Sequence, residues 1–151
     1  MSTTSLTGKD TIKINNRILA DFGDGDTADL THPNKLVNVK TGKNGNSIYG
    51  YNYSGQQCEA SLRILRGSPD DKFLNNLLSL FKNDPAAFSL IQGEFVKNIG
   101  NGAGGITQDV YILSGGVFDK EVDVKENADG DTEQAISVYH LVFSNSPRAI
   151  G

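Results

Sequence analysis

The chain of 151 residues has one cysteine, Cys58, two histidines, and no apolar run long enough for a bilayer span or the hydrophobic region of a secretory signal. A lone cysteine excludes an internal disulfide and makes a reducing, soluble compartment the expectation. His32 stands beside Pro33 and His140 lies in an apolar stretch, so no His/Cys cluster has zinc spacing, and no G-x-S-x-G occurs. No catalytic, cofactor or metal residue is assigned. Positive charge is also scarce: 14 Lys+Arg against 18 Asp+Glu leave a net charge of −4, the opposite of a protein that grips nucleic acid by its phosphates. Only four prolines accompany 17 glycines and 8% aromatics, which indicates tight turns between short strands, not disorder. The length suits a single domain, read as 9–151, after a polar arm, Met1 to Gly8, expected to be mobile unless a partner orders it.

One stretch reads as a helix. Ser68 suits an N-cap, Pro69 the first helical position, and Asp70 and Asp71 the positive end of the dipole. Leu74, Leu77, Leu78 and Phe81 follow the spacing of one apolar face, with Phe73 and Leu80 widening it. Asn83 is the candidate left-handed cap before Pro85. The helix, about 68–83, is expected to cover a sheet.

Everything else reads as strands and turns. Thr11 to Asn15 and Arg17 to Phe22 form a hairpin about Asn15-Asn16. Leu36 to Thr41 and Ile48 to Ser54 flank the loop Gly42 to Ser47, and Tyr49, Tyr51 and Tyr53 recur at period two, on one face of an extended strand. From Gln56 to Arg66, Cys58, Ala60, Leu62 and Ile64 alternate as a core face against Gln57, Glu59, Ser61 and Arg63. Phe88 to Asn98, Thr107 to Leu113, Val117 to Val124 and Ala135 to Phe143 complete eight to ten strands. The last is apolar on both faces, as in a strand between layers or at an interface. The acidic segment Asp21 to Lys35 fails as an EF-hand counted from Asp24, because Asp29 stands where glycine is needed and Lys35 where a glutamate is needed. It and Glu126 to Glu133 read as solvated turns. The glycine spacing from Gly100 to Gly104 precedes a strand, not a helix, and so is no phosphate loop. The fold class is mainly β or α+β: an antiparallel sandwich or barrel-forming sheet with one flanking helix.

Leu65-Arg66-Gly67-Ser68 with Leu74-Asn75, Leu90 to Lys97, Gly102 to Gly105 before Asp109-Val110-Tyr111, Gly115-Gly116-Val117-Phe118, Asn127 to Gln134, and Tyr139 to Ile150 together resemble the tail tube protein of contractile-tailed bacteriophages and related injection particles. The resemblance implies hexameric rings stacked into a hollow tube, a sheet from each subunit lining a lumen for DNA, and the helix outside. Implied partners are other copies of the chain, the tail sheath protein, and baseplate and tail terminator proteins, with DNA passing without tight binding and no membrane contact. The implied location is the virion tail, and the host cytoplasm during assembly. On this reading Asn38, Lys40, Gln57, Glu59, Ser61 and Arg63 line the lumen, although Lys40 and Arg63 depart from a purely acidic lining. Ser2, Thr3, Leu6, Lys43, Asn44, Tyr49, Tyr51 and Tyr53 make contacts between rings. The competing expectations are a monomeric glycan-binding module using the tyrosine face, a tube ring of a related secretion system, and a small enzyme built on Cys58 and His140.

Overall fold

A computed structural model describes residues 2–6, 10–23, 27–126, 128, 130 and 132–151. Asp24, from which the EF-hand count starts, lies outside the described residues, as do parts of the arm and of the turn after Glu126. The elements are β1 (Ser5–Leu6), β2 (Thr11–Ile14), β3 (Arg17–Leu19), β4 (Ala28–Thr31), β5 (Val37–Thr41), β6 (Ser47–Tyr51), β7 (Cys58–Leu65), α1 (Pro69–Asn83), β8 (Ile91–Gly100), β9 (Ile106–Val124), β10 (Ile136–Asn145) and β11 (Arg148–Ile150). The main sheet is antiparallel, ordered β3-β2-β8-β9-β10-β7-β4, with β1 on β8 and β11 on β9, and it is not closed into a barrel. The pair β5-β6 forms a separate sheet of its own.

The alternation in β7 holds: Cys58, Ala60, Leu62 and Ile64 are buried on the face toward α1. Across the ladder, Phe143, Leu141 and Tyr139 of β10 sit opposite Cys58, Ala60 and Leu62 and join the same core. Leu74 and Leu78 of α1 are buried against it, and Leu77, Phe81 and Phe73 are half-buried. Leu80 does not widen this face: it is exposed, because it falls on the solvent side of the helix. Ser68 caps the start, its hydroxyl accepting from the Asp71 N–H at 3.2 Å. The end differs from expectation. Asn83 is the last helical residue, not left-handed, and Asp84 follows it as the cap with φ of −149° and ψ of 87°, its N–H bonded to the Leu80 carbonyl.

Other boundaries also move. Asn15 and Asn16 do turn the β2-β3 hairpin, with φ of 50° and 67°, the positive values that a two-residue turn requires. Phe22 leaves β3 and makes one bridge to Ile64, and the stretch read as a solvated connection contains β4. Within the arm, Ser5 and Leu6 pair with Gly100 and Ile99. The two strands expected over 107–124 are a single 19-residue strand, β9. Its pivot is Gly115-Gly116. Gly115 takes φ +67°, and a Cβ on Gly116 would stand 2.5 Å from the Phe143 ring. This kink lets β9 pair with β8 before the pivot and with β10 after it instead of breaking.

The helix is tied to the sheet edge by one buried carboxylate. Asp70 accepts from the N–H groups of Ala20 at 2.7 Å and Asp21 at 2.9 Å, and from Arg17 Nε at 3.0 Å. Asp21 returns the contact by accepting from the Asp70 N–H. Tyr139 makes a second tie, its buried hydroxyl donating to Asp71 Oδ1 at 2.5 Å. Burial works against the charged form of Asp70, yet the Asp21 and Ala20 amides and the Arg17 guanidinium outweigh it and hold its pKa below the ordinary value.

Replacing Asp70 by alanine strands two amide donors, for an expected loss of about 2–4 kcal/mol in urea unfolding at pH 7. Arg17 adds little because its guanidinium is partly in solvent. Since the folded-state pKa is depressed, the carboxylate stabilises fully above the unfolded value of about 4 and less as pH falls through the folded value. The gap between wild type and Asp70→Ala therefore narrows on acidification below that point; a gap constant down to pH 2 would contradict this account.

Candidate assembly surface

The β5-β6 hairpin is exposed along nearly its whole length. Cross-strand pairing puts Val37 beside Tyr51 and Val39 beside Tyr49 on one face, with Asn38 beside Gly50 and Lys40 beside Ile48 on the other. Both faces are open to solvent: Val39 is 53%, Ile48 67%, Tyr49 60% and Tyr51 81% exposed. Tyr53 is 88% exposed but is not in line with the other two, because the strand ends at Tyr51 and Tyr53 opens a 3₁₀ turn to Gln56. The tyrosine ladder therefore has two rungs, not three. Lys43 and Asn44 sit exposed at the hairpin's turn.

Thr3, Ser5 and Leu6 reach the same end of the sheet. Ser5 and Leu6 run beside the end of β8, and the Thr3 side chain lies against Gly102 in the β8-β9 turn. Ser2 and Thr3 are exposed, and Leu6 is 65% exposed. The hairpin leaves from the start of β7, where Ser146 donates to the Gln56 carbonyl at 3.0 Å. A groove of about 540 Å³ lies at its base, between Leu36 and Gln56 on one side and Tyr111, Pro147 and Arg148 on the other. Arg148 lies over Tyr111 and forks onto Asp109 at 2.8 and 2.7 Å, which holds the Asp109 carboxyl below its ordinary pKa. That clamp fixes β11 to β9.

The structure does not bring the six residues assigned to the lumen onto one surface. Glu59, Ser61 and Arg63 do point away from α1, on the outer face of β7. Gln57 precedes the strand and accepts from the Asn34 side-chain amide at 2.8 Å. Asn38 and Lys40 belong to the detached hairpin, because β5 pairs with β6 and not with the main sheet. The neighbour of the β7 polar column is instead the β10 column Val142, His140 and Val138. Among the described residues, four carboxylates without a partner, Asp29, Glu59, Glu94 and Asp119, are carried by β4, β7, β8 and β9. At their registers, Asp29, Glu59 and Glu94 alternate with core positions and so share the outer face. Sequence reasoning missed Asp29 and Glu94; knowing the strand order is what places them beside Glu59.

His140 and Cys58 do not meet. Cys58 is fully buried on the core face and burial pushes its thiol pKa up, while His140 lies on the outer face. His140 instead bonds Ser61 at 3.3 Å through Nδ1 and Asp123 at 2.6 Å through Nε2. The Ser-His-Asp order resembles a hydrolytic relay, but Ser61 sits within a strand paired on both sides, whose own amides are spent on the ladders and not free as oxyanion donors. Among the described residues no group of three or more His, Cys, Asp or Glu could hold a metal ion, and no helix is long and apolar enough to cross a membrane. No protein-family model and no curated protein matches the chain.

Native protein is expected to leave Cys58 unmodified by Ellman's reagent at pH 8, and to react with one equivalent after unfolding in guanidinium. Rapid reaction of the native thiol would mean that the β7 core face opens.

Proposed function

We propose that the chain is a structural protein whose copies assemble into stacked rings forming a hollow conduit, as in a phage tail tube, and that it is not an enzyme. The observation that carries this reading is the detached β5-β6 hairpin. An isolated two-stranded ribbon is marginal in water, yet this one holds valine, isoleucine and tyrosine side chains open on both faces. Such a surface is completed by another chain. The arm at Ser2 to Leu6 supports the same reading, because it reaches the same end of the sheet and leaves Leu6 uncovered.

The outer sheet face supports a conduit in a second way. Among the described residues Asp29, Glu59 and Glu94 form no ion pair there, so a ring that turned this face inward would present carboxylates to DNA and would not hold it. Glu59, Ser61 and Arg63 stay in the proposed lining, joined by Asp29, Glu94 and His140. Gln57, Asn38 and Lys40 leave it. The open edges of β3 and β4 are where neighbouring subunits would continue the sheet. Sheath, baseplate and terminator proteins would complete the tail, with the assembled protein in the virion.

Negative-stain electron microscopy of concentrated protein tests the reading. Rings or tubes of uniform width are the expected result, and uniformly small particles at every concentration count against it. Replacing Asn38 to Gly50 by Gly-Gly should leave stability within about 1 kcal/mol, because the hairpin shares no ladder with the core, and should abolish the stacked particles.

A further inference from the structure

Charge is not spread evenly along the chain. From Lys35 to Gln57, the segment that forms the hairpin and its base, there are three lysines and no carboxylate. The net charge of −4 is therefore +3 in this segment and −7 elsewhere. Among the described residues, Lys35, Lys40 and Lys43 have no counter-ion. The stretch from Asp119 to Glu133 is the reverse, with seven carboxylates and two lysines. Its members Glu121, Glu126 and Glu133 are exposed, with 58%, 70% and 62% of their side chains open.

The hairpin and the Glu126 and Glu133 part of the acidic stretch lie at opposite ends of the sheet, while Glu121, beside Tyr139 and so level with Leu62, lies midway along β7. The hairpin joins the start of β7 at Cys58, whereas Arg66, just past its end, accepts Glu126 as ion partner and donates its N–H to the Ala135 carbonyl. Seven strand steps from Cys58 to Leu65 span about 23 Å. That is several Debye lengths of about 8 Å at physiological salt, so the hairpin lysines gain little from the acidic end of their own chain.

We infer that the hairpin docks on the Glu126 and Glu133 end of a second copy of this chain, so that copies join head to tail. The partner is another copy because its acidic end supplies the counter-charge that the hairpin lacks. Docking hairpin on hairpin would bring six lysines together with no carboxylate to answer them. Glu126 and Glu133 already pair with Arg66 and Lys125, so the incoming lysines would extend existing pairs into networks. Ile48, which shares the Lys40 face of the hairpin and is 67% exposed, supplies the apolar part of the contact. A contact between two different patches does not satisfy itself, so it leaves a free hairpin at one end and a free acidic end at the other. Taking this contact as the one between rings rests on the stacking reading above; the head-to-tail polarity does not.

A carbodiimide tests the pairing, because it joins amines only to carboxylates with which they are already in contact. Peptide mapping is expected to find intermolecular amides from Lys40 or Lys43 to Glu126 or Glu133. The double variant K40E/K43E and the double variant E126K/E133K should each need about tenfold more protein to associate, a cost of about 1.4 kcal/mol. Mixed together, they should co-sediment again, with circular dichroism confirming that each is folded. Rings or tubes that form without these crosslinks, or two variants that associate as well as wild type, would overturn the inference and leave the tube reading standing. Crosslinks of the expected kind in short chains of particles without a bore would uphold the inference and remove the tube reading.

Discussion

The fold depends on the carboxylate of Asp70. It is the point at which the start of α1, the end of β3 and the chain entering β4 are held together, and it satisfies amide donors that the sheet cannot reach. Chain entering the gap between two packed layers has no ladder partner, and an unpaired buried N–H costs about as much as a lost hydrogen bond. Asp70 removes that cost while sitting where the helix dipole favours a negative charge. Ser68 and Pro69 fix where the helix starts, and that start decides which carboxylate faces the sheet edge. Asp71, one residue on, turns instead toward the Tyr139 hydroxyl. Two adjacent aspartates thus bind two different strands of the sheet.

With the helix anchored, the two faces of the sheet separate by character. The face under α1 is filled by Leu62, Ile64, Tyr139, Leu141 and Phe143 together with Leu74 and Leu78. The other face is mixed: valines of β10 beside the charged column of β7. The apolar character of β10 on both sides, readable from Ala135 to Phe143, follows from this, since its inner residues fill the core and its outer residues lie half-buried between neighbouring strands.

Legibility in the sequence tracked how local the cause was. The helix start, the Asn15-Asn16 turn and the core face of β7 depend on neighbours within a few residues, and they stand where the pattern places them. Leu80 was misplaced because a wide apolar stripe leaves open which flank the core meets. Tyr53 was misplaced because period two carries no mark of where a strand ends. The continuity of β9 through Gly115-Gly116 depends on a ring from β10, and the meeting of His140 with Ser61 depends on residues 79 positions apart lying opposite each other. The detachment of β5-β6 from the main sheet, which reshapes the proposed lining, has no local signal either. Alternation is the same in a strand that joins a large sheet and in one that pairs only with its hairpin partner.

The course of β9 also divides the chain by the entropy of closing it. β8, β9 and β10 follow one another in the chain, with five residues between the first two and eleven between the last two, so their ladders form with less loop to close than those of β2 on β8 or β10 on β7. The ladders of β2 on β8 and of β10 on β7 bring together positions such as Ile14 and Gly93, or Ser61 and His140. Closing a loop of that length costs about 2–3 kcal/mol more than closing a five-residue turn. The three-strand meander is thus the cheapest part of the sheet to assemble, and the N-terminal half is added to it at greater entropic cost.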